Sequence, residues 1–194
     1  MSLILQEHRD TIEKGLLDNL TSEILEKADE AALGSEDLKL TDQYGHKVLQ
    51  VGPSITAGYP QLEELAIKLR NRRYPNQKMQ RDSHGHIRVF RPETNPFSDG
   101  ANNHASKLHQ IKIISDSENN GLLGVDITFS TSSLNNQDFG QNYGNMTFSP
   151  EDTASKYEIL MAIKIVIEEL RIETLELTDP FNRSINQLLA NLQI

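Results

Sequence analysis

The sequence predicts an α+β fold, with N-terminal helices, a mostly antiparallel sheet of about five strands and a C-terminal helix-strand-helix. Two observations support this class. Apolar residues recur at helical spacing near both ends of the chain, and short segments of alternating apolar residues cluster between them. Strands that cluster between helices, instead of alternating regularly with them, are typical of an α+β domain. At 194 residues, the whole chain is predicted to form one domain.

Residues 1–33 are predicted to be a helical N-terminal segment. Apolar side chains recur there at steps of seven or four, as on one face of an amphipathic helix: Leu5, Ile12, Leu16, Leu20, Ile24 and Ala28. The pattern allows either one helix or two helices that are broken near Thr21-Ser22. A β-hairpin is expected over residues 38–51, because Asp42-Gln43-Tyr44-Gly45 supplies a turn.

Residues 38–148 are predicted to be mainly strands with one helix. Gly52 to Gly58 is interpreted as a connecting loop, and Pro60 then suits the first position of the helix. Further strands are expected at residues 87–90, 108–114 and 123–129. The last of these alternates most clearly, and its polar residues Asp126, Thr128 and Ser130 are expected to face solvent. Residues 131–145 are predicted to be a long polar loop.

Residues 149–194 are predicted to form the helix-strand-helix. Ser149 provides an N-cap and Pro150 a first-turn proline for a central, buried helix that runs to about residue 170. Residues 174–177 are interpreted as a short strand. Asp179-Pro180 is expected to open a last helix whose inward face is apolar: Phe181, Ile185, Leu188 and Leu192.

Composition excludes several classes of protein. Without cysteine, the chain has no disulfide framework, zinc–cysteine site or thiol nucleophile, which fits a reducing compartment. No apolar run approaches 18 residues and no basic leader precedes one, so we expect a cytoplasmic location without membrane insertion. The net charge of −9 argues against general nucleic-acid binding, because phosphates would be repelled at long range.

Basic residues are concentrated in one segment of this acidic chain. Residues 68–91 carry eight basic side chains and one acidic side chain, whereas both flanking regions carry a large acidic excess. A cluster of this kind can hold phosphate or an acidic protein surface. Its residues can equally offset a helix dipole or pair with acids of the same chain. The predicted binding residues are Lys68, Arg70, Arg72, Arg73, Lys78, Arg81 and Arg91.

Four histidines lie within or shortly after this segment: His84, His86, His104 and His109. On a strand, His84, His86 and Arg88 would share one face, which suits proton transfer and charge stabilisation on a phosphate ester. Gly85 instead suggests a turn. The spacing could also present two imidazoles to a metal ion, but Arg88 stands where a metallo-hydrolase needs an aspartate. We therefore predict no metal and no cofactor, and keep a phosphoester hydrolase using His84, His86, Arg88 and His104 as the alternative.

The C-terminal region carries two resemblances. Its helix, the segment Leu175-Glu176-Leu177-Thr178 and the final apolar residues resemble an accessory domain of conjugative relaxases and other mobile-element proteins. The acids Glu168, Glu169, Glu173 and Glu176 near an apolar C-terminus are similar to glutamate-rich export signals of type IV secretion substrates. These resemblances imply, as an alternative location, transfer into a host or recipient cell. No family is assigned from them.

The leading functional hypothesis is therefore a binding module without catalytic activity. It would be a bacterial accessory or effector-like protein that engages an acidic or phosphate-bearing partner through its basic segment. Neither the identity of that partner nor the oligomeric state follows from the sequence.

Overall fold

The computed structural model describes residues 3–31, 37–90, 104–133, 142–178, 188–189 and 191–192. The predicted α+β class is confirmed, and every pairing between the described strands is antiparallel. The helices are α1 (Leu3–Ala31), α2 (Pro53–Gly58), α3 (Pro60–Arg73) and α4 (Thr153–Thr178). The strands are β1 (Leu38–Gln43), β2 (His46–Val51), β3 (Met79–Arg81), β4 (Ile87–Val89), β5 (His104–Asp116), β6 (Leu122–Ser133) and β7 (Asn142–Phe148).

Strand β5 organises the sheet. One of its edges pairs with β6, which pairs in turn with β7. Its other edge carries two hairpins in series: β2 of the β1–β2 hairpin pairs with residues 111–116, and β4 of the β3–β4 hairpin pairs at Ser106. The stretch of β5 between these two contacts has no strand partner on that edge among the described residues.

Helices α2 and α3 supply polar groups to this unpaired stretch of β5. The carboxylate Oε2 of Glu63 accepts a hydrogen bond from the Leu108 N–H at 3.0 Å. The hydroxyl of Thr56 lies 3.4 Å from the carbonyl oxygens of both Leu108 and His109, at a bulge in the strand. Backbone groups that a neighbouring strand would otherwise satisfy are therefore bonded to helix side chains.

The hydrophobic core lies between one face of the sheet and the long helices. Its sheet side consists of alternating strand residues, and Leu49, Ile111, Ile113, Val125, Ile127 and Phe129 are each almost completely buried. Helices α1, α3 and α4 complete it. Helices α1 and α4 run parallel, because residue numbers increase along both helices from one ion pair to the next. The pairs are Glu23–Lys164, Lys27–Glu168 and Glu30–Arg171.

Several predictions for the N-terminal half are confirmed and one is wrong. Helix α1 is a single helix, and the Thr21 hydroxyl donates to the Leu17 carbonyl at 2.7 Å instead of interrupting it. The hairpin turn forms as predicted, with Tyr44 and Gly45 at positive φ. The interpretation of residues 52–58 as a connecting loop is wrong, because α2 begins at Pro53 directly after β2.

The predicted strand at residues 174–177 is also wrong, because α4 continues to Thr178. Glu173, Leu175 and Glu176 are good helix formers, and no glycine or proline interrupts the segment before Pro180. The C-terminal helix-strand-helix is therefore not formed. The helix is capped by Asp152, whose Oδ2 accepts from the Ser155 N–H at 2.8 Å, and not by Ser149.

The predicted last helix falls largely outside the described residues, which include neither Phe181 nor Ile185. Leu188 and Leu192 are described, and they are 61% and 72% exposed, not inward-facing. In the sheet, the prediction missed β3 and β7, so the described residues form seven strands instead of about five. The expectation that Thr128 and Ser130 face solvent is wrong. Both are buried in the central strand β6, where the Thr128 and Thr147 hydroxyls lie 2.9 Å apart.

Within the described part of the chain, no helix is both long enough and apolar enough to cross a membrane.

Candidate anion-binding surface

The basic segment forms the C-terminal half of α3, the following turn and the β3–β4 hairpin. Asn71 joins the helix to the first strand of this hairpin. Its Nδ2 donates to the Met79 carbonyl at 2.9 Å, and its Oδ1 accepts from the Met79 N–H at 2.7 Å. This two-way bond holds the start of β3 against the last turn of α3, so Lys78 is kept close to the arginines at the end of that helix.

Two of the predicted binding residues, Arg70 and Arg81, are held within the fold. Arg70 is only 5% exposed, and its guanidinium donates to the Gln77 carbonyl at 2.6 Å. Arg81 pairs with Glu63 at 2.8 Å and with Glu64, and the hydrogen bonds that its guanidinium donates, first to Glu63 and then to Glu64, raise the pKa of Arg81. Arg91 lies outside the described residues. Arg70 and Arg81 therefore stabilise the fold before any partner is considered.

Four cations remain accessible, and we call Lys68, Arg72, Arg73 and Lys78 the α3 basic surface. Lys68 and Lys78 are exposed, and no acidic side chain of the described residues forms an ion pair with either. The Arg72 and Arg73 side chains are each 40% exposed. These four residues occupy the last turns of one helix and the turn that follows it.

The two arginines of the α3 basic surface make surface contacts with the start of α4. Arg72 donates to the Ser155 hydroxyl at 3.0 Å and lies 3.6 Å from a carboxylate oxygen of Glu158. Arg73 pairs with Glu151 at 2.5 Å. The Arg73 guanidinium also lies 5.6 Å from the centre of the Tyr74 ring, within the range of a cation–π contact.

His84 and His86 lie in the tight turn between β3 and β4. The Gly85 N–H donates to the Asp82 carbonyl at 3.0 Å, and the Asp82 N–H donates to the His86 carbonyl at 2.9 Å. Gly85 has a φ of +81°, which a glycine adopts without strain. The two imidazoles are exposed and stacked, with ring centres 6.2 Å apart. His84 and His86 therefore lie in the turn that Gly85 suggested, and they do not share one face of a strand with Arg88.

Asp82 organises this turn. One carboxylate oxygen accepts from the N–H groups of His84 and His86, at 2.9 and 3.0 Å, and the other accepts from Arg88 at 2.6 Å. Burial of the carboxyl opposes ionisation, but the hydrogen bonds from His86, Arg88 and His84 outweigh it and lower the pKa of Asp82 to about 2. Arg88 is therefore bound to a permanently charged carboxylate at neutral pH.

The remaining histidines lie on β5. His104 begins this strand, and its side chain lies outside the described part of the structure. His109 sits at the bulge, next to Thr56. Among the residues that the structure describes, no three histidine, aspartate or glutamate side chains are grouped to hold a metal ion.

Sequence reasoning missed the acids that neutralise the arginines. Asp82 had a local signal, since Asp followed three residues later by Gly is typical of a hairpin turn. The four glutamates had no such local signal, because they are brought to the basic segment only by helix packing: Glu63, Glu64, Glu151 and Glu158.

Comparisons with protein-family models, curated proteins and solved structures found no match.

Proposed function

We propose that this protein is a binding module that engages an acidic or phosphate-bearing partner through the α3 basic surface. The observation that supports this most directly is the presence of two exposed lysines, Lys68 and Lys78, that have no ion-pair partner among the described residues of a chain with net charge −9. Most other cations near them are already neutralised, so these two are available to an incoming anion.

Arg72 and Arg73 can contribute at little cost. Exposed ion pairs such as Arg73–Glu151 typically stabilise a protein by about 0–1 kcal/mol. A carboxylate or phosphate of the partner can replace Glu151 or Glu158 and offer the guanidinium a two-oxygen contact. Arg70 and Arg81 are excluded from the proposed surface, because their guanidinium groups already bind the Gln77 carbonyl and the Glu63 carboxylate.

The geometry favours binding over phosphoester hydrolysis. A hydrolase built on His84 and His86 would need Arg88 to stabilise charge on the substrate, but Asp82 already holds that guanidinium at 2.6 Å. The imidazoles also lie at the exposed tip of a hairpin, where water would compete for the substrate.

The test is charge reversal at Lys68 and Lys78 together, with immobilised polyphosphate and polyglutamate as probes. Because neither lysine forms an ion pair with any described residue, Lys68→Glu with Lys78→Glu should leave the fold intact. We expect affinity for at least one probe to fall by about tenfold or more at about 0.15 M salt.

The matched control is Lys39→Glu with Lys107→Glu, which changes net charge equally at two exposed lysines elsewhere on the chain. We expect this control to retain most of the binding. If both pairs of substitutions reduce binding equally, only net charge matters and the α3 basic surface is not the site. Unchanged binding in the Lys68/Lys78 variant would also contradict the proposal.

A further inference from the structure

The first half of α1 exposes a row of large apolar side chains. Leu5, Ile12 and Leu16 are 60%, 60% and 52% exposed, although Leu17, a single residue further on, is buried in the core. Isolated exposed leucines are common on protein surfaces, but a row along one helix indicates a contact face. This face is separate from the α3 basic surface.

The row continues the face of α1 that packs against α4. Leu16 precedes Glu23 and Glu30 by steps of seven, and these two acids pair with Lys164 and Arg171 of α4. Steps of seven keep residues on one side of a helix. If the pairing of the two helices is followed back from Glu23–Lys164, the start of α4 lies opposite about residue 12 of α1. The first turns of α1 therefore have no part of α4 beside them.

The spacing of this face is that of a coiled-coil seam. Positions 5, 9, 12 and 16 follow steps of four, three and four, with Arg9 as the one polar member. The Arg9 side chain is 65% exposed and its guanidinium pairs with Glu13 at 2.9 Å. Its aliphatic stem can therefore cover an apolar neighbour while its charge stays paired at the rim.

The pattern is complementary to itself when it is reversed. About a point midway between Asp10 and Thr11, position 5 maps onto 16 and position 9 maps onto 12. An antiparallel copy would thus place leucine against leucine at both ends of the seam, with each Arg9 stem over the other copy's Ile12. A parallel copy would instead place Arg9 against Arg9, and the like charges would repel.

We propose that the N-terminal half of α1 is the interface of an antiparallel homodimer, formed by residues 5–16 of two copies. Gln6 and Glu13 flank the seam on the same side, so the amide of one copy can donate to the carboxylate of the other. Because the seam spans fewer than two heptads, the dimer is weak, with a dissociation constant on the order of 10 μM or higher.

Sedimentation equilibrium over about 1 μM to 1 mM of the full chain tests the interface. Wild type should pass from monomer to dimer in this range, and Ile12→Gln with Leu16→Gln should weaken association by at least about tenfold. The control is Ile165→Gln with Ile172→Gln, because these α4 side chains are similarly exposed, at 53% and 55%. A wild type that stays monomeric, or a control that dissociates equally, would overturn the proposal.

The orientation can be tested separately because the chain contains no cysteine. Leu5→Cys and Leu16→Cys proteins, mixed and treated with a short bifunctional maleimide, should cross-link to each other, and each alone should give little product. Cross-linking of each variant mainly to itself would indicate parallel helices and overturn the antiparallel dimer. This result decides the matter even if the double glutamine variant fails to fold.

Discussion

At the scale of single residues, the Asp82 carboxylate determines both the shape and the charge of the β3–β4 turn. It accepts two backbone N–H groups and the Arg88 guanidinium, so it shapes the β3–β4 turn and neutralises an arginine at once. The carboxylate form is favoured, because its hydrogen bonds lower the pKa of Asp82 to about 2. The local structure that displays His84 and His86 therefore depends on an acid next to them.

We predict that Asp82→Asn lowers the thermal midpoint by a few degrees at pH 7. Asparagine can still accept the two N–H groups but cannot pair with the Arg88 charge. Because the pKa of Asp82 is lower in the folded state than its usual 3.8, its contribution to stability is present above about pH 4 and is lost as the pH falls towards 2.

Thermal melts of wild type and Asp82→Asn at several pH values measure this contribution. The difference between the two proteins should shrink between about pH 4 and pH 2. Ser83→Ala, in the same turn, serves as the control and should melt like wild type throughout. A difference that persists unchanged at pH 2 would argue against the charged form of Asp82 as the source.

At the scale of elements, the unpaired stretch of β5 depends on Glu63. This residue lies near the start of α3, where its carboxylate accepts the Leu108 N–H at 3.0 Å and also pairs with Arg81. A backbone N–H left without an acceptor costs about 1–3 kcal/mol. One side chain thus connects a helix, the central strand and the β3–β4 hairpin.

We predict that Glu63→Ala lowers the free energy of unfolding by about 1–3 kcal/mol, because it leaves the Leu108 N–H without its acceptor. Glu64→Ala should cost at most about 1 kcal/mol, because Arg81 is the one ion-pair partner of Glu64 within the described segments and the pair lies at the surface. Urea denaturation measures both. Equal losses would mean that the ion pair with Arg81 matters and the bond to Leu108 does not.

At the scale of the whole molecule, the sheet places its most protected backbone in β5 and β6. Both strands are paired on two edges, whereas β1, β3 and β7 each have one strand neighbour among the described strands. Five inward-facing side chains of β5 and β6 are also completely buried: Ile111, Ile113, Val125, Ile127 and Phe129. Opening these two strands therefore requires opening the domain.

We expect amide hydrogen exchange to be slowest in residues 111–114 and 127–129, which have strand partners on both edges. The β3–β4 hairpin, which has only three residues in each strand, should exchange much faster. Exchange measured by mass spectrometry or NMR provides this comparison. Equal protection of the hairpin and β5 would mean that the hairpin is held by more than the contacts described above.

Much of the fold followed from local patterns. The β1–β2 hairpin, the start of α3 at Pro60 and the alternation of β6 were all predictable, since turn residues and apolar periodicity act over a few positions. Strands β3 and β7 were not, because β3 is only three residues long and β7 lacks a clear alternation of apolar residues. The strand predicted at residues 174–177 was wrong, because an alternation over four residues is too short to distinguish a strand from the end of a long helix.

The sequence alone determined the α+β class, the core residues of the clearest elements and the concentration of cations in residues 68–91. Only the tertiary structure decided which of those cations are accessible. Arg70, Arg81 and Arg88 bind within the fold, whereas Lys68 and Lys78 have no ion-pair partner among the described residues. The physical reason is that turn chemistry and periodicity act between near neighbours, whereas the acids Glu63, Glu151 and Glu158 reach the segment only through helix packing.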